Sequence, residues 1–303
     1  MNTGIKFTSP ASVSFYSLGL KNLSVTIEHP YNEIIARKVP SIKGIEIESF
    51  SHSRDDEQNV IDTLIKAGNA FAEKFNIGAG TVFNISNRIP FNSGLGNIEA
   101  SITALISAIN ELHKVNQDKK QVFDFVEEIE LKLGFGINLA SVAANLFGGF
   151  MAYDPGTAKR IHKIYHPKGL YFSSFYFNKE TINVPETAFS SHQSDNFSTS
   201  LTSLINGLII SDLDLINSGL KNNLFLQSHP KVNSHFDDIQ RISIKNGAMG
   251  LGFVKNQNTI FVIYNNTVIK DLNNEKISSF LKEKKAEFVL FDSEVSLNGI
   301  YKS

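Results

Sequence analysis

A glycine loop between a strand pattern and a helix pattern is the feature that most restricts how this chain can fold. Thr81–Ser86 is predicted as a β-strand, and Asn87–Ser101 follows with the sequence Asn-Arg-Ile-Pro-Phe-Asn-Ser-Gly-Leu-Gly-Asn-Ile-Glu-Ala-Ser. From Ala100 to about Leu112 the apolar residues recur at helical spacing, so the Gly-Leu-Gly turn leads directly into a helix. Such a loop places unpaired backbone N–H groups at the positive end of a helix dipole, which favours the binding of phosphate. The sequence therefore predicts a strand–loop–helix unit with the frame of a phosphate-binding site.

Two residues at the start of this helix are unsuited to a phosphate site. Ile98 offers no hydroxyl group to a metal ion, and Glu99 brings a negative charge to the place that a phosphate would need. An acidic residue in the first turn of a helix stabilises the helix N-terminus by about 0.3–1 kcal/mol. We therefore expect Glu99 to point back at the free N–H groups, where it substitutes for the phosphate.

The composition excludes several classes of function. With 303 residues, the chain is long enough for one large or two moderate domains. The formal net charge of -1 gives no electrostatic basis for binding nucleic acid or an anionic membrane, and the lack of cysteine excludes disulfides and thiolate metal sites. Met1–Pro10 lacks the apolar run of a signal peptide, and no apolar stretch approaches the roughly 18 residues of a membrane span. We expect a cytoplasmic protein without a nucleic-acid or membrane partner.

Strand and helix patterns follow one another in clusters along the chain. The predicted strands are Ser12–Tyr16, Leu23–Glu28, Glu33–Lys38, Gly44–Glu48, Thr81–Ser86, Phe150–Tyr153, Leu170–Phe177, Thr259–Tyr264 and Glu287–Phe291. The predicted helices are Asn59–Phe75, Ala100–Leu112, Lys120–Leu133, Ser200–Ile210, Asp212–Leu220 and Phe236–Lys245, and a further apolar segment covers Gly134–Phe147. The polar, serine-rich stretch Pro185–Thr199 is predicted as a mobile loop. Clustered strands and helices, without strict βαβ alternation, favour an α+β protein.

Five segments resemble, in order and in spacing, the motifs of the GHMP kinase superfamily, and most of all those of homoserine kinases. They are Ser9–Lys21, Asn32–Arg37, Pro90–Ser101, Leu146–Phe150 and Gly247–Gly250. The resemblance implies a two-domain GHMP kinase fold. Its parts would be a ribosomal protein S5 domain 2-like N-terminal domain (1–153, with a few late residues) and a ferredoxin-like α/β C-terminal domain (154–303). It also implies an ATP-dependent enzyme that uses Mg-ATP to phosphorylate a small-molecule alcohol and, by analogy, a homodimer.

The same resemblance supplies candidate site residues. Those for the nucleotide are Asn59, Pro90, Asn92, Ser93, Gly94, Leu95, Gly96 and Asn97. Glu130 falls on a magnesium ligand of the family, although a solvated position on a charge-rich helix would explain it equally well. Phe15, Lys21 and Ser141 fall on positions of the substrate pocket. No residue is assigned a catalytic role.

The substrate and phosphate positions depart from the family pattern. Phe15 replaces an asparagine that helps to hold homoserine in the family, Lys21 replaces an aspartate, and Ser141 replaces an asparagine. The paired serines of the family's phosphate loop are replaced by Asn97 and Ile98. The groups that would hold the metal and the substrate are therefore largely changed.

The third motif of the family is changed as well. Its Ser-Gly-Ser-Gly-Pro turn falls on Val254–Asn258, which contains no glycine. Because residues other than glycine resist positive φ, we expect this segment not to wrap a phosphate as a tight turn. Arginines that grip the amino-acid carboxylate have no evident counterpart near Val184–Pro185 or His229–Lys231.

The change at Lys21 reverses a charge that the family presents to the ammonium group of homoserine. At about 4 Å and an effective dielectric constant near 20, one such charge pair is worth about 4 kcal/mol. Replacing this attraction by a repulsion therefore changes the interaction energy by nearly twice that amount, before screening by the solvent. We expect homoserine to bind poorly and Mg-ATP to bind weakly or not at all.

Two hypotheses about function are consistent with these residues. The first is a degenerate homoserine kinase homologue that keeps the fold, has impaired or lost phosphoryl transfer, and serves as a binding or regulatory module. The second is an active ATP-dependent small-molecule kinase that phosphorylates homoserine or a different acceptor, for instance an anionic one that Lys21 would suit. The first requires only the replacements described, whereas the second requires replacement ligands that the sequence does not reveal.

Overall fold

The structure is a computed structural model that describes residues 4–51, 57–156, 160–178, 191–221, 234–254 and 258–303. Its strands are β1 (Ile5–Phe15), β2 (Leu20–Val39), β3 (Ile45–Ser51), β4 (Gly80–Asn87), β5 (Phe150–Tyr153), β6 (Ile161–Ile164), β7 (Tyr171–Phe177), β8 (Gly250–Phe253), β9 (Thr259–Tyr264), β10 (Phe288–Glu294) and β11 (Tyr301–Lys302). Its α-helices are α1 (Glu57–Lys74), α2 (Asn97–Leu112), α3 (Lys119–Leu133), α4 (Leu139–Phe147), α5 (Ser191–Ile210), α6 (Leu213–Lys221), α7 (Phe236–Lys245) and α8 (Thr267–Glu283), and a short 3-10 helix covers Tyr16–Leu18. Within the described ranges, none of these helices has the length and hydrophobicity to cross a membrane.

The larger of two sheets carries the strand that leads into the glycine loop. Its strand order is β11-β1-β2-β4-β3, and β5 joins it by pairing with β2 and with β6. All of these pairs are antiparallel except that of β3 with β4. Apolar residues of the sheet and of α1–α4 form one buried core, which includes Phe71, Phe83 and Ile106. The sheet and its helices thus place the end of β4 and the start of α2 side by side.

Strand β2 is longer than the sequence pattern predicted. The pattern gives two strands, Leu23–Glu28 and Glu33–Lys38, because a polar segment with a proline separates them. The structure has a single strand of 20 residues, and its register against β1 shifts between Pro10 and Ala11. A bulge of this kind takes up the extra residues, so the ladder continues past them.

The smaller sheet packs aromatic residues against a second set of helices. Its strand order is β10-β7-β9-β8, and all its pairs are antiparallel. Phe172, Phe175 and Phe261 are fully buried in its core. Helices α6 and α7 contact β8, and α8 contacts β7 and β9. Together the two sheets and their helices form the α+β fold that the sequence predicted.

Helix α5 corrects one prediction. The sequence pattern predicts a mobile loop over Pro185–Thr199, but α5 begins at Ser191. The first part of that stretch, 185–190, lies outside the described residues. Serine-rich segments have low helix propensity, and the packing of α5 against α6 outweighs it here.

Helix α8 is an element that the apolar pattern does not predict. Its buried side includes the polar residues Asn273 and Asn274, whereas Val268 is 74% exposed. Polar residues therefore occupy part of the buried face, and an apolar residue is exposed. For this reason the apolar residues do not recur at clear helical spacing in the sequence.

The C-terminal end of the chain returns to the larger sheet. Strand β11 pairs with β1 through Thr8 and Tyr301, and β6 also belongs to this sheet. Residues on both sides of the predicted domain boundary at residue 153 therefore contribute to one sheet. The boundary itself remains a prediction.

Candidate functional site

The loop between β4 and α2 turns at three residues with positive φ. Asn92, Gly94 and Gly96 have φ angles of 54°, 71° and 73°. Helix α2 begins at Asn97, directly after Gly96, which confirms the predicted start of the helix. A Cβ atom at Gly96 would lie 2.1 Å from Ser12 Oγ, so only glycine fits there without a shift of its neighbours.

Groups behind the loop hold its carbonyl oxygens. The hydrogen bonds run from Tyr176 Oη to Phe91 O (3.1 Å), from Asn258 Nδ2 to Asn92 O (3.1 Å), from Thr259 Oγ1 to Ser93 O (2.7 Å) and from Ser12 N to Leu95 O (3.0 Å). Three of the four donors lie on or next to strands of the smaller sheet, so this sheet positions the loop. The sequence gives no signal for these anchors, because a tyrosine or threonine in a strand pattern carries no sign of a distant partner.

The same loop leaves several amides available to a ligand. The backbone N–H groups of Gly94, Gly96, Asn97 and Ile98 have no hydrogen-bond partner among the residues that the structure describes. A run of such amides at a helix N-terminus attracts an anion through the helix dipole and through direct hydrogen bonds. The loop therefore has the backbone geometry of an anion site.

Glu99 occupies the helix end beside these amides. Its Oε1 accepts the backbone N–H of Asn138 (2.8 Å), the residue that caps α4. The N–H groups of Gly96, Asn97 and Ile98 have no hydrogen bond to this side chain, so the expectation that Glu99 satisfies the free N–H groups of its own helix is not confirmed. Burial raises the pKa of Glu99, the backbone N–H of Asn138 opposes this rise, and the charge of Glu130 adds to it. A carboxylate in the first turn of α2 thus contacts the N-terminal end of α4.

Glu130 approaches the same place from α3. Its Oε1 accepts the backbone N–H of Gly136 (3.0 Å), while its Oε2 is buried and, within the described part of the chain, has no hydrogen-bond partner. A buried oxygen without a partner argues against the alternative of a solvated helix residue. The carboxyl group of Glu130 therefore retains an unused acceptor close to Glu99.

The magnesium ion that the family resemblance implies is compatible with these two residues. Mg²⁺ prefers oxygen ligands and is commonly held by one or two carboxylates together with water and ligand oxygens. Glu99 and Glu130 supply carboxylate oxygens, and Glu130 Oε2 has no other partner in the described ranges. Those ranges contain no group of three or more His, Cys, Asp or Glu side chains that could hold a metal ion, so water would complete the coordination.

Asn97 turns its side chain away from the loop amides. Its Nδ2 donates to Asn87 Oδ1 (2.6 Å) and to Ile89 O, and its Oδ1 is buried with no partner among the described residues. Its carbonyl oxygen lies 3.5 Å from Asn32 Nδ2. Asn97 can therefore offer a backbone N–H to a ligand but no side-chain oxygen.

Phe15, one of the predicted substrate-pocket positions, is a core residue. It is 1% exposed, and its ring lies 5.6 Å from that of Phe150, 5.7 Å from that of Phe261 and 6.5 Å from that of Phe172. The packing of the first strand against the smaller sheet buries this apolar ring. No polar atom of Phe15 is available to a substrate.

The remaining predicted site residues, Lys21, Ser141 and Asn59, lie at the starts of two different helices. Lys21 is exposed, and its carbonyl oxygen accepts Asn138 Nδ2 (3.4 Å) at the start of α4. Ser141 is buried in the first turn of the same helix. The structure therefore gathers Lys21, Ser141 and Glu99 around the start of α4, whereas Asn59 is exposed in the first turn of α1.

The third motif lies against the first one. The backbone N–H of Phe253, at the end of β8, donates to Ser17 Oγ (2.8 Å) in the 3-10 helix. Residues 255–257 lie outside the described ones, so the expectation that Val254–Asn258 forms no tight phosphate turn stays a prediction.

Comparison with known proteins shows which families this fold and loop resemble. Residues 62–149 match the family of GHMP kinases N terminal domains, and this range contains β4, the glycine loop and α2–α4. Over this range the chain is similar to the GHMP kinase superfamily.

Curated relatives that the chain resembles in sequence are homoserine kinases. It is 23% identical to the homoserine kinase of Pyrococcus horikoshii over 289 residues, which are 91% of this chain and 92% of the relative. It is 25% identical to the homoserine kinase of Thermoplasma volcanium over 201 residues, which are 64% of this chain and 65%, just under two thirds, of that relative.

Solved structures show the same two-domain α+β fold. The homoserine kinase of Cytophaga hutchinsonii superimposes with a TM-score of 0.83 at 22% identity, over 100% of this chain and 98% of the other. The mevalonate kinase of L. major, solved in complex with R-mevalonate, superimposes with a TM-score of 0.73 at 15% identity, over 97% and 98% of the two chains. At these identities the likeness establishes the fold, and the activity of this chain has to be argued from its own residues.

Proposed function

We propose that this chain is a homoserine kinase-like protein whose phosphoryl transfer is impaired or lost, and that it acts as a binding or regulatory module. Its similarity to homoserine kinases supports the first part. The observation that supports the second part is the carboxylate of Glu99, which lies in the first turn of α2 beside the glycine loop and accepts the N–H of Asn138 at the start of α4.

Glu99 opposes an incoming phosphate through its charge. Its side chain lies in the first turn of the helix whose N-terminal amides would attract a phosphate, and in its ionised form it repels the phosphate. At about 4 Å and an effective dielectric constant near 20, two unit charges interact by about 4 kcal/mol. Because each 1.4 kcal/mol is about tenfold in affinity, this repulsion alone would weaken nucleotide binding roughly 10³-fold.

The acceptor side supports the same proposal. Phe15 is packed into an aromatic core and offers no hydrogen bond, and the ammonium of Lys21 would repel the ammonium of homoserine. Phosphoryl transfer depends on positioned phosphates, metal and acceptor far more than on covalent chemistry by the protein. Loss of these contacts is therefore sufficient to impair it.

An active kinase with an anionic acceptor is the second candidate function. The observation that favours it is the position of Lys21. This residue is exposed, and its carbonyl oxygen accepts a hydrogen bond from Asn138, the residue that caps α4. An ammonium group and the positive end of a helix dipole would both attract a negatively charged acceptor.

The direct test is a kinase assay with purified protein, Mg-ATP and L-homoserine. We expect no release of ADP above background, and calorimetry should give a Kd for Mg-ATP of about 1 mM or weaker. The Cytophaga hutchinsonii homoserine kinase, assayed in parallel, is the positive control. Robust turnover of homoserine would refute the proposal, and turnover confined to alcohols that carry a carboxylate or phosphate would favour the second candidate.

A second test restores the groups that the loop has lost. The double variant Ile98→Ser with Glu99→Ala should regain some affinity for Mg-ATP, since the amides of the loop are already in place. A ligand at about 100 times its Kd stabilises a protein by about 2.7 kcal/mol, which a thermal shift measures. The control is Glu283→Ala, which removes one negative charge from an exposed position of α8. If Mg-ATP shifts the melting temperature of the double variant no more than that of this control, the loop does not bind the nucleotide.

A further inference from the structure

We propose that a cavity between α6, α7 and β8 binds an amphiphilic anion, which is a small molecule with an apolar body and an anionic head group. The cavity has a volume of about 490 Å³ and is lined by the end of α6, one face of α7 and the start of β8. Pockets that bind small molecules commonly measure about 300–1,000 Å³ and combine apolar walls with a few polar groups. The inference goes beyond the proposed function and does not depend on it.

The cavity is separate from the glycine loop. Strand β8 begins at the cavity with Gly250, and its last residue, Phe253, donates its backbone N–H to Ser17 Oγ. Thr259, which holds the carbonyl oxygen of Ser93 in the glycine loop, begins the neighbouring antiparallel strand β9. A ligand in the cavity would therefore lie at the end of β8 that points away from the glycine loop.

The floor of the cavity is apolar and closely packed. Leu220 and Leu251 are each 2% exposed, and a Cβ atom at Gly250 would lie 2.4 Å from Leu220 Cβ, so α6 and β8 are in direct contact there. Ile244 of α7 adds a half-buried apolar side chain. The floor therefore suits an apolar ligand body, which gains free energy by leaving water.

One face of α7 forms the long wall of the cavity. Its lining residues Asp237, Gln240, Arg241, Ile244 and Lys245 recur at intervals of one, three and four positions, as residues on one side of a helix do. With a rise of about 1.5 Å per residue, this wall is about 12 Å long. The cavity is therefore an elongated groove, which fits an extended ligand.

The rim of the cavity is basic, although the whole chain has a formal net charge of -1. Lys221, Arg241 and Lys245 line it together with a single acidic residue, Asp237. Arg241 forms an ion pair with Asp238, whereas Lys221 and Lys245 are exposed and take part in no ion pair or hydrogen bond within the described part of the chain. Two lysines without a carboxylate partner can donate charge-assisted hydrogen bonds to the head group of an anion.

Helix stabilisation is the alternative explanation for these lysines. Lys221 and Lys245 lie in the last turns of α6 and α7, where a basic side chain offsets the negative end of the helix dipole. This role accounts for one lysine on each helix, but it does not account for an apolar groove between them. It predicts that the cavity binds no ligand.

The test is isothermal titration calorimetry of purified, nucleotide-free protein with sodium decanoate and, in a second arm, decyl phosphate, both below their micelle-forming concentrations. We expect saturable binding of one molecule per chain, and the tighter of the two identifies the head group. Acetate lacks the apolar body and decylamine carries the opposite charge, so each should bind at least about tenfold more weakly. Added NaCl should weaken binding, because the lysines are exposed.

Variants locate the ligand in the cavity. The double variant Lys221→Gln with Lys245→Gln should weaken decanoate binding at least about tenfold. Gln240→Glu, which adds a negative charge to the cavity at nearly constant size, should weaken it as well, and circular dichroism checks that the fold persists. Lys66→Gln, at an exposed position of α1, removes the same charge elsewhere and should bind like the native protein.

Three results would overturn the inference. They are the absence of saturable binding of both anions, equal binding of decylamine, and equal affinities of the double lysine variant and Lys66→Gln. Self-association of the native protein in sedimentation, lost in Gln240→Glu, would show that a second copy of the chain occupies the groove and would overturn it too. Because neither homoserine nor nucleotide is present, none of these results bears on the proposed loss of phosphoryl transfer.

Discussion

Gly96 joins the glycine loop to the first strand at a point where the two backbones approach closely. Its φ of 73° lies in the left-handed region, and a Cβ atom would meet Ser12 Oγ at 2.1 Å. Ser12 in turn donates its backbone N–H to Leu95 O (3.0 Å). A side chain at position 96 would therefore strain its own backbone and force the Ser12 hydroxyl to move.

The first prediction concerns this residue. Gly96→Ala should lower the free energy of unfolding by about 2–4 kcal/mol, which combines the left-handed strain of an L residue with the cost of overpacking. The control is Gly134→Ala, because Gly134 also has positive φ (62°) but has no neighbouring atom within 4 Å of a Cβ. The control should lose only about 1–2 kcal/mol. Urea unfolding at constant m measures both values, and equal losses would show that the contact with Ser12 is unimportant.

At the scale of the helices, Asn138 connects α4 to the candidate site. Its Oδ1 accepts the N–H groups of Ala140 (2.9 Å) and Ser141 (3.2 Å), and its own N–H donates to Glu99. The side chain thus caps α4 while the backbone holds the acidic residue of α2. Asn138 therefore contributes both to the stability of α4 and to the position of the Glu99 carboxylate.

The second prediction concerns the capping role of Asn138. Asn138→Ala removes the cap and should cost about 1 kcal/mol of unfolding free energy, whereas Asn138→Ser keeps a capping oxygen and should cost a few tenths. The backbone N–H that donates to Glu99 persists in both variants, so the difference between them reports the side-chain cap. Urea unfolding measures both values, and an equal cost for both substitutions would contradict the capping role.

The other end of α2 contains a histidine whose ionisation is disfavoured by the fold. His113 caps the helix, and its Nε2 lies 2.8 Å from Thr81 Oγ1. Burial, followed by the charge of Lys38, lowers the pKa of His113 below 6.5. The unfolded chain therefore binds a proton at a higher pH than the folded protein does.

The third prediction is a pH dependence of stability. The contribution of His113 to the free energy of unfolding should be fully present above about pH 6.5. It should be lost as the pH falls through that value towards the lower pKa of the folded state. The decrease in unfolding free energy between pH 7 and pH 5.5 should be smaller in His113→Gln than in the native protein. His162→Gln, at an exposed position of β6, is the control. If the unfolding free energies of the native protein and of His113→Gln decrease by the same amount over this pH range, His113 is not responsible for the pH dependence.

At the scale of the whole molecule, the last residues of the chain complete the first sheet and its core. The N–H of Ile300 donates to Asn145 O (2.6 Å), and its side chain is 5% exposed. Lys119 Nζ donates to Leu146 O (2.6 Å) and to Asn298 O (3.4 Å), so it joins the end of α4 to this segment. The C-terminal segment is thus an integral part of the N-terminal layer.

The fourth prediction tests this placement. Ile300→Ala should lower the free energy of unfolding by about 2–5 kcal/mol, because it leaves a cavity in a packed core. Leu297→Ala, three residues earlier at a position that is 53% exposed, should change it by less than about 0.5 kcal/mol. Similar effects in the two variants would show that the C-terminal segment is not packed as described.

Local signals in the sequence were sufficient for many elements of the fold. The predicted bounds of Phe150–Tyr153, Phe236–Lys245 and Thr259–Tyr264 coincide with elements of the structure, and α2 begins where the glycine turn predicted. Periodicity, glycine turns and first-turn acidic residues act over a few positions, so the sequence carries them directly. Helix α8 could not be predicted in this way, because polar residues on its buried side obscure the period.

Contacts between distant residues could be known only from the assembled fold. Glu99 finds its partner 39 positions away at Asn138, and Thr259 finds the carbonyl of Ser93 at a separation of 166. The sequence places a negative charge at the helix end but does not show that two helix N-termini and a second carboxylate converge on it. The physical reason is that local patterns define which face of an element is apolar, whereas the packing of all the elements decides which distant groups meet.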